Sequence, residues 1–177
     1  MIPNEIINAF LRNVINLSVA QPAFAIRGKQ YGAPRPIGAY ASVDLLTDTS
    51  VGWEESGYTN NDLDPDVTET IRGARRIGYS INFFRQNAVD NCRHFRTFLA
   101  RENIRQLFVE ANLGLLTRSE VRDLTAALED GFEERAQVDI FLSAVGSDAD
   151  IVTAIETASL SGTFETRGLI FEIEAEI

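Results

Sequence analysis

The chain has 177 residues, 45% of them apolar and 24% charged: enough for one domain with a real core, too short for two comfortable ones, and too apolar to be disordered over most of its length. One cysteine, Cys92, and one histidine, His94, exclude an intramolecular disulfide and a closed structural zinc site. The net charge of −10 is the opposite of the basic stripe by which a protein grips nucleic acid.

Asn4 to Leu17 reads as a helix, with Asn4 placed to cap it and Glu5 suited to its first turn. Ile6, Phe10, Val14 and Leu17 fall at helical spacing with Ile7, Leu11 and Ile15 beside them, a stripe wide enough for a well-buried helix. A short apolar stretch, Ala23 to Ile26, reads as a strand. From Gly28 to Gly38 the prolines and glycines forbid regular structure. Each proline of Pro34-Arg35-Pro36 restricts the residue before it, so Arg35 sits in extended backbone. Tyr40 to Thr47 alternates as a strand, with Ala41, Val43 and Leu45 on one face.

Gly52 to Pro65 reads as a polar, flexible loop, and Val67 to Ile71 alternates again. Arg72-Gly73-Ala74-Arg75-Arg76 is either a turn or a bulge within one long hairpin strand. Ile77 to Phe84 is the clearest strand: Ile77, Tyr79, Ile81 and Phe83 share one face, and Gly78, Ser80 and Asn82 the other. That period suits an antiparallel sheet with one buried face. Ala88 to Ala111 reads as helix with a break near Arg101, ended by Asn112 and Gly114. Glu120 to Leu128 is ambiguous. Glu133 to Ala144 alternates through Ala136, Val138, Ile140 and Leu142, Gly146 to Asp150 reads as a turn, and Ile151 to Ser159 and Gly168 to Ile177 alternate as strands. There is no internal repeat. The expected fold is α+β: a mostly antiparallel sheet packed against an amino-terminal helix and a central helical segment, in a single domain over residues 1–177.

No apolar run approaches the length needed to cross a bilayer. The opening Met1-Ile2-Pro3-Asn4-Glu5 lacks a basic region, so no secretory signal is expected and cytoplasmic synthesis is the default.

The distribution of charge says more than its sum. Residues 1–119 carry 13 basic and 12 acidic groups, and residues 120–177 carry 3 and 14. Acidic residues keep a surface soluble; alternatively they meet a basic part of a neighbouring copy, or face a space where DNA must not stick. Fifteen of the 16 basic residues are arginine, a residue favoured at protein interfaces, although codon bias in a GC-rich genome gives the same skew.

Enzyme signatures are absent: no phosphate-binding glycine loop, no dinucleotide fingerprint, no zinc-protease helix and no nucleophile elbow. On a helix Cys92 and His94 stand about 200° apart and cannot converge on one ligand. Asp62-Leu63-Asp64-Pro65-Asp66 resembles the start of a calcium loop, but Val67 and Gly73 stand where such a loop needs glycine and a bidentate acid. No cofactor, metal or catalytic residue is expected. The candidate subunit or partner interface consists of Arg35, Trp53, Arg72, Arg75, Arg76, Glu172, Glu174 and Glu176. Arginines offer paired hydrogen bonds, Trp53 and Tyr58 are potential anchors, and the terminal strand can pair with its own sheet or extend a neighbour's.

Two segments carry a resemblance. Gly32-Ala33-Pro34-Arg35-Pro36-Ile37-Gly38-Ala39-Tyr40-Ala41-Ser42-Val43 is one, and Phe132-Glu133-Glu134-Arg135-Ala136-Gln137-Val138-Asp139-Ile140, preceded by Val121-Arg122-Asp123-Leu124, is the other. Their order and separation resemble the neck terminator proteins of tailed phages, over most of residues 1–145. The chain departs from that family at Phe132, where tryptophan is common. The resemblance implies a structural virion protein at the head–tail junction: a homo-oligomeric ring of about six copies that ends the tail tube and joins it to the head connector while DNA passes through. The alternatives are another head–tail connector or tail-completion protein, or, in a different class, a small ligand-binding or enzymatic α+β domain, which needs a concave pocket with convergent polar groups.

Overall fold

A computed structural model describes residues 3–29, 32, 34–60, 66–128, 131–153, 157–164 and 169–176. The chain divides into two compact units, Met1–Glu54 with Gly73–Ser147, and Glu55–Arg72 with Asp148–Ile177.

The first unit opens with helix α1 (Asn4–Val19) and strand β1 (Ala25–Arg27). Two long strands follow, β2 (Tyr40–Asn60) and β3 (Asp66–Phe84), then helices α2 (Ala88–Phe98) and α3 (Glu102–Glu110). Strands β4 (Gly114–Arg118), β5 (Arg122–Asp123), β6 (Ala126–Leu128), β7 (Gly131–Glu133) and β8 (Arg135–Thr153) come next. Among the described residues the main sheet has the order β1-β2-β3-β8-β4, with β5 also on β8.

Cross-strand contacts fix the directions. Tyr40 stacks on Phe84 with ring centroids 4.7 Å apart, while further along β2 Asp48 meets Arg75. As β2 ascends its partners descend β3, so the two form an antiparallel hairpin. Likewise Arg135 donates to Asn82 at 3.0 Å, Gln137 donates to Ser80 at 2.7 Å, and Arg76 lies over the Phe141 ring. β8 is therefore antiparallel to β3, and β4 and β5 are antiparallel to β8. β1 is parallel to β2 and covers only Ala41, Ser42 and Val43.

One face of this sheet carries the core. Ala41, Val43, Ile77, Tyr79, Ile81, Phe83, Ala136, Val138, Ile140 and Leu142 are all buried, as strict alternation requires. Against them pack Ile7, Leu11, Val14 and Ile15 of α1, Cys92 and Phe95 of α2, and Ile104 and Phe108 of α3. Each fully buried large side chain contributes about 1.5–3 kcal/mol. Polar ties fix the layers: Asn8 of α1 donates to the Val43 carbonyl at 3.1 Å, and the Tyr79 hydroxyl donates to the Asn4 carbonyl at 3.2 Å. Burial, and secondarily the charge of Asp48, push the Tyr79 phenol up to about 12.

The second unit contains the hairpin of β9 (Thr157–Phe164) and β10 (Leu169–Glu176), antiparallel from Leu169 opposite Phe164 to Glu176 opposite Thr157. It also contains the distal parts of β2 and β3, where the Tyr58 hydroxyl donates to Glu69 at 2.9 Å. That bond raises the phenol's pKa, because it holds the proton beside a carboxylate.

The α+β reading, the helix break at Leu99–Arg101 and the alternation of β3 and β8 stand. Four local readings do not. Asn4 is not the cap of α1: Pro3 holds that position, and the Asn4 carboxamide instead donates to Asp48 at 3.4 Å. The buried stripe of α1 runs through Ile7, Leu11, Val14 and Ile15, leaving Ile6 and Leu17 exposed. The stretch Gly52–Pro65, read as a loop, is strand through Asn60, and Gly146–Asp150, read as a turn, is strand inside β8. Ladder pairing with a long partner overrides weak local propensity in both. The arginine-rich stretch at 72–76 lies within one unbroken β3. The acidic run at 62–66 lies outside the described residues save for Asp66, which begins β3.

Candidate interaction surface

The two segments that carry the resemblance meet in space. The Pro34–Ala39 stretch leads into β2, and Phe132–Arg135 joins β7 to β8. Between them stands Arg85, just past the end of β3, in the left-handed region at φ 64°. Its guanidinium donates to the Ile37 carbonyl and lies 3.9 Å from Glu133. Arg35 reaches the same Glu133 at 3.8 Å, and the Arg85 amide donates to the Glu134 carbonyl at 2.7 Å. Glu134 then does what its neighbour cannot. Asn87, preceding α2, makes no side-chain cap, and the Glu134 carboxylate accepts from the Ala88 amide at 3.2 Å. An acid at a helix amino terminus is favoured by the helix dipole and satisfies a free amide.

This bracing holds two large apolar side chains in the open. Ile37 is 96% exposed and Phe132 82% exposed. Both line a cleft of about 500 Å3 with Arg85, Gln86, Glu133 and Glu134. An exposed aromatic beside an exposed aliphatic, on backbone held by proline and an arginine clamp, has a form suited to an interaction anchor.

The other predicted site residues do not converge. Trp53 is 99% exposed on β2. Arg75 is mostly buried against Asp48, Arg76 lies 4.8 Å over the Phe141 ring, and Arg72 is exposed in the second unit. Three arginines within five residues thus serve separate places, the neighbours Arg75 and Arg76 because consecutive strand residues point to opposite faces. For Glu172, Glu174 and Glu176 the described geometry is the register alone, opposite Ser161, Ser159 and Thr157. Ile37, Arg85 and Glu133 were not singled out as site residues by sequence reasoning. Pro-Arg-Pro signalled the rigidity of the first segment, but nothing local marks Arg85.

Cys92 is buried in the core, and burial pushes its thiol up to about 12; His94 is on the exposed side of α2. Among the described residues no group of three or more His, Cys, Asp and Glu is placed to hold a metal.

No curated protein matches the chain. The phage neck terminator protein family matches it over residues 4–168, a span containing both segments braced by Arg85. By this match over nearly its whole length the chain belongs to the phage neck terminator proteins, structural proteins of the virion neck that meet other neck and tail proteins.

Proposed function

We propose that the protein works by assembly rather than by turnover: copies close into a ring of about six that ends the tail tube and joins it to the head connector. The observation that carries this reading is the family match over residues 4–168. The braced Ile37–Phe132 surface supports it, because it offers a preorganised apolar contact. Arg35 and Trp53, both largely exposed, belong to the surface offered to subunits or partners in this reading. So do Arg72 and the acids Glu172, Glu174 and Glu176.

Charge supports passage of DNA without sequence-specific grip. The first unit holds 14 basic and 14 acidic residues, and the second holds 2 basic and 12 acidic. The whole net charge of −10 therefore belongs to the second unit, and about six copies together carry a strong negative field. Such a field repels phosphate where it faces DNA.

Analytical ultracentrifugation across a concentration series, with negative-stain images of any large species, tests the ring. A closed ring of about six copies is expected. A chain that neither closes in solution nor caps purified tail tubes overturns the reading.

A further inference from the structure

Between the end of α2, α3 and β4 the first unit opens a groove of about 400 Å3. Leu99, Phe108 and Leu113 in its lining belong to the buried core, while Val109 and Leu116 are exposed. Leu116 owes its position to a bulge. Leu115 stands opposite Leu142 of β8 and Thr117 opposite Phe141, so Leu116 is the extra residue on β4. A bulge leaves its extra residue out of the ladder and re-aims the side chain.

The groove is also basic. Among the described residues its lining contains Arg105 and Arg118 and no acid. Arg118 donates to the Arg96 carbonyl at 2.6 Å. Arg105 lies 3.8 Å from Glu102 on the same helix, with both side chains largely exposed. Arg101 lies over the Phe98 ring, 4.9 Å from its centroid. Residues 96–118 hold the four arginines Arg96, Arg101, Arg105 and Arg118 against the two acids Glu102 and Glu110. Apolar walls beside unneutralised arginines suit a partner that is both apolar and acidic.

The chain carries that chemistry in its own second unit, which holds 2 basic and 12 acidic residues. The β9–β10 register sets Leu169 opposite Phe164 and Ile173 opposite Leu160, while Glu172 and Glu174 stand opposite Ser161 and Ser159. Apolar and acidic positions alternate along β10, so one short strand offers both kinds of contact.

We propose that the α3–β4 groove of one copy receives the acidic β9–β10 hairpin of the next, Arg105 and Arg118 meeting the acids of β10 and Leu116 meeting its apolar residues. Opposite charge draws the two surfaces together and fixes their register. A contact between two different surfaces repeats head to tail until the rotation closes, which makes a ring rather than a dimer. This rests on the ring reading above and names the surfaces that join neighbouring copies.

The test reverses charge on each side of the joint in the full chain. The groove variant carries Arg105→Glu with Arg118→Glu, and the hairpin variant carries Glu172→Arg with Glu174→Arg. Each is checked for an unchanged melting transition; Arg105→Glu alone or Glu174→Arg alone serves if its double variant melts early. Sedimentation then reads mass. Each variant alone is expected to run about six-fold lighter than the wild-type ring. An equal mixture of the two is expected to recover the wild-type mass, because reversed grooves then meet reversed hairpins on neighbouring copies. A ring of full size from either variant alone overturns the inference and leaves the ring reading standing. So does a mixture that stays monomeric, since a hairpin seated within its own copy, or on another neck protein, gains nothing from mixing. A wild-type chain that stays monomeric at every concentration and on tail tubes overturns the ring reading, and the inference with it.

Discussion

Arg75 reaches from β3 to Asp48 on β2, Nε to Oδ1 at 2.8 Å, with both side chains about four-fifths buried. Asp48 also accepts from Asn4, so one carboxylate ties the hairpin to the start of α1. Removing Arg75 leaves a largely buried carboxylate with one weak donor. Arg75→Ala is expected to cost about 1–3 kcal/mol of folding stability, while Asp48→Asn, which keeps an acceptor for Asn4, costs less. Urea unfolding of the single and double variants checks this. A double variant no more stable than Arg75→Ala would show that the orphaned carboxylate is not the source of the loss.

Alkaline pH is a second lever. Burial pushes the Cys92 thiol from its ordinary 9.0 to about 12, and burial with the Asp48 charge pushes the Tyr79 phenol from 10.0 to about 12. Both protons are held more tightly in the folded state than in the unfolded state. Their stabilising contribution is therefore complete below pH 9 and disappears as pH rises towards 12. A falling melting temperature across that window is expected, with a shallower fall for Cys92→Ala. At neutral pH, Ellman's reagent should leave Cys92 untouched until the chain unfolds.

Reading these features from sequence succeeds where period alone decides. The alternation of Ile77, Tyr79, Ile81 and Phe83 against Gly78, Ser80 and Asn82 specifies a face, and the structure buries the first set against the helices. It fails where pairing decides. Gly52–Asn60 is polar and contains a glycine at φ 81°, yet it is strand, because β3 lies along it as a partner. Leu45 matches Ala41 and Val43 in the pattern but is exposed, in the wall of a groove it shares with Asn4 and Asn8 of α1. The interaction surface was half legible. Pro34-Arg35-Pro36 and Phe132-Glu133-Glu134 could be picked out, but their meeting depends on Arg85, whose left-handed backbone no local signal announces.

That meeting is testable through Glu134 and Arg85. Glu134 supplies the cap that Asn87 does not give α2. Glu134→Ala is expected to cost about 0.5–2 kcal/mol, the usual range for losing a helix cap. Arg85→Ala removes the donor to the Ile37 carbonyl, so hydrogen exchange should quicken at Gly38–Tyr40 while α2 stays protected. Equal quickening across α2 would mean that Arg85 supports the core rather than the Pro34–Ala39 stretch.

Two phenylalanines separate surface from core by experiment. Phe95 is fully buried, with its ring centroid 5.8 Å from that of Phe83, and Phe132 is 82% exposed. Truncating Phe95 removes contacts on every side and leaves a cavity, so Phe95→Ala should cost about 3–5 kcal/mol. Phe132→Ala and Ile37→Ala uncover nothing, and each should shift stability by less than about 0.5 kcal/mol. If the braced surface is a contact, those two variants fold normally and still fail to join heads to tails when they replace the wild-type chain in a phage assembly reaction. Normal joining by both variants would remove the Ile37–Phe132 surface from the mechanism.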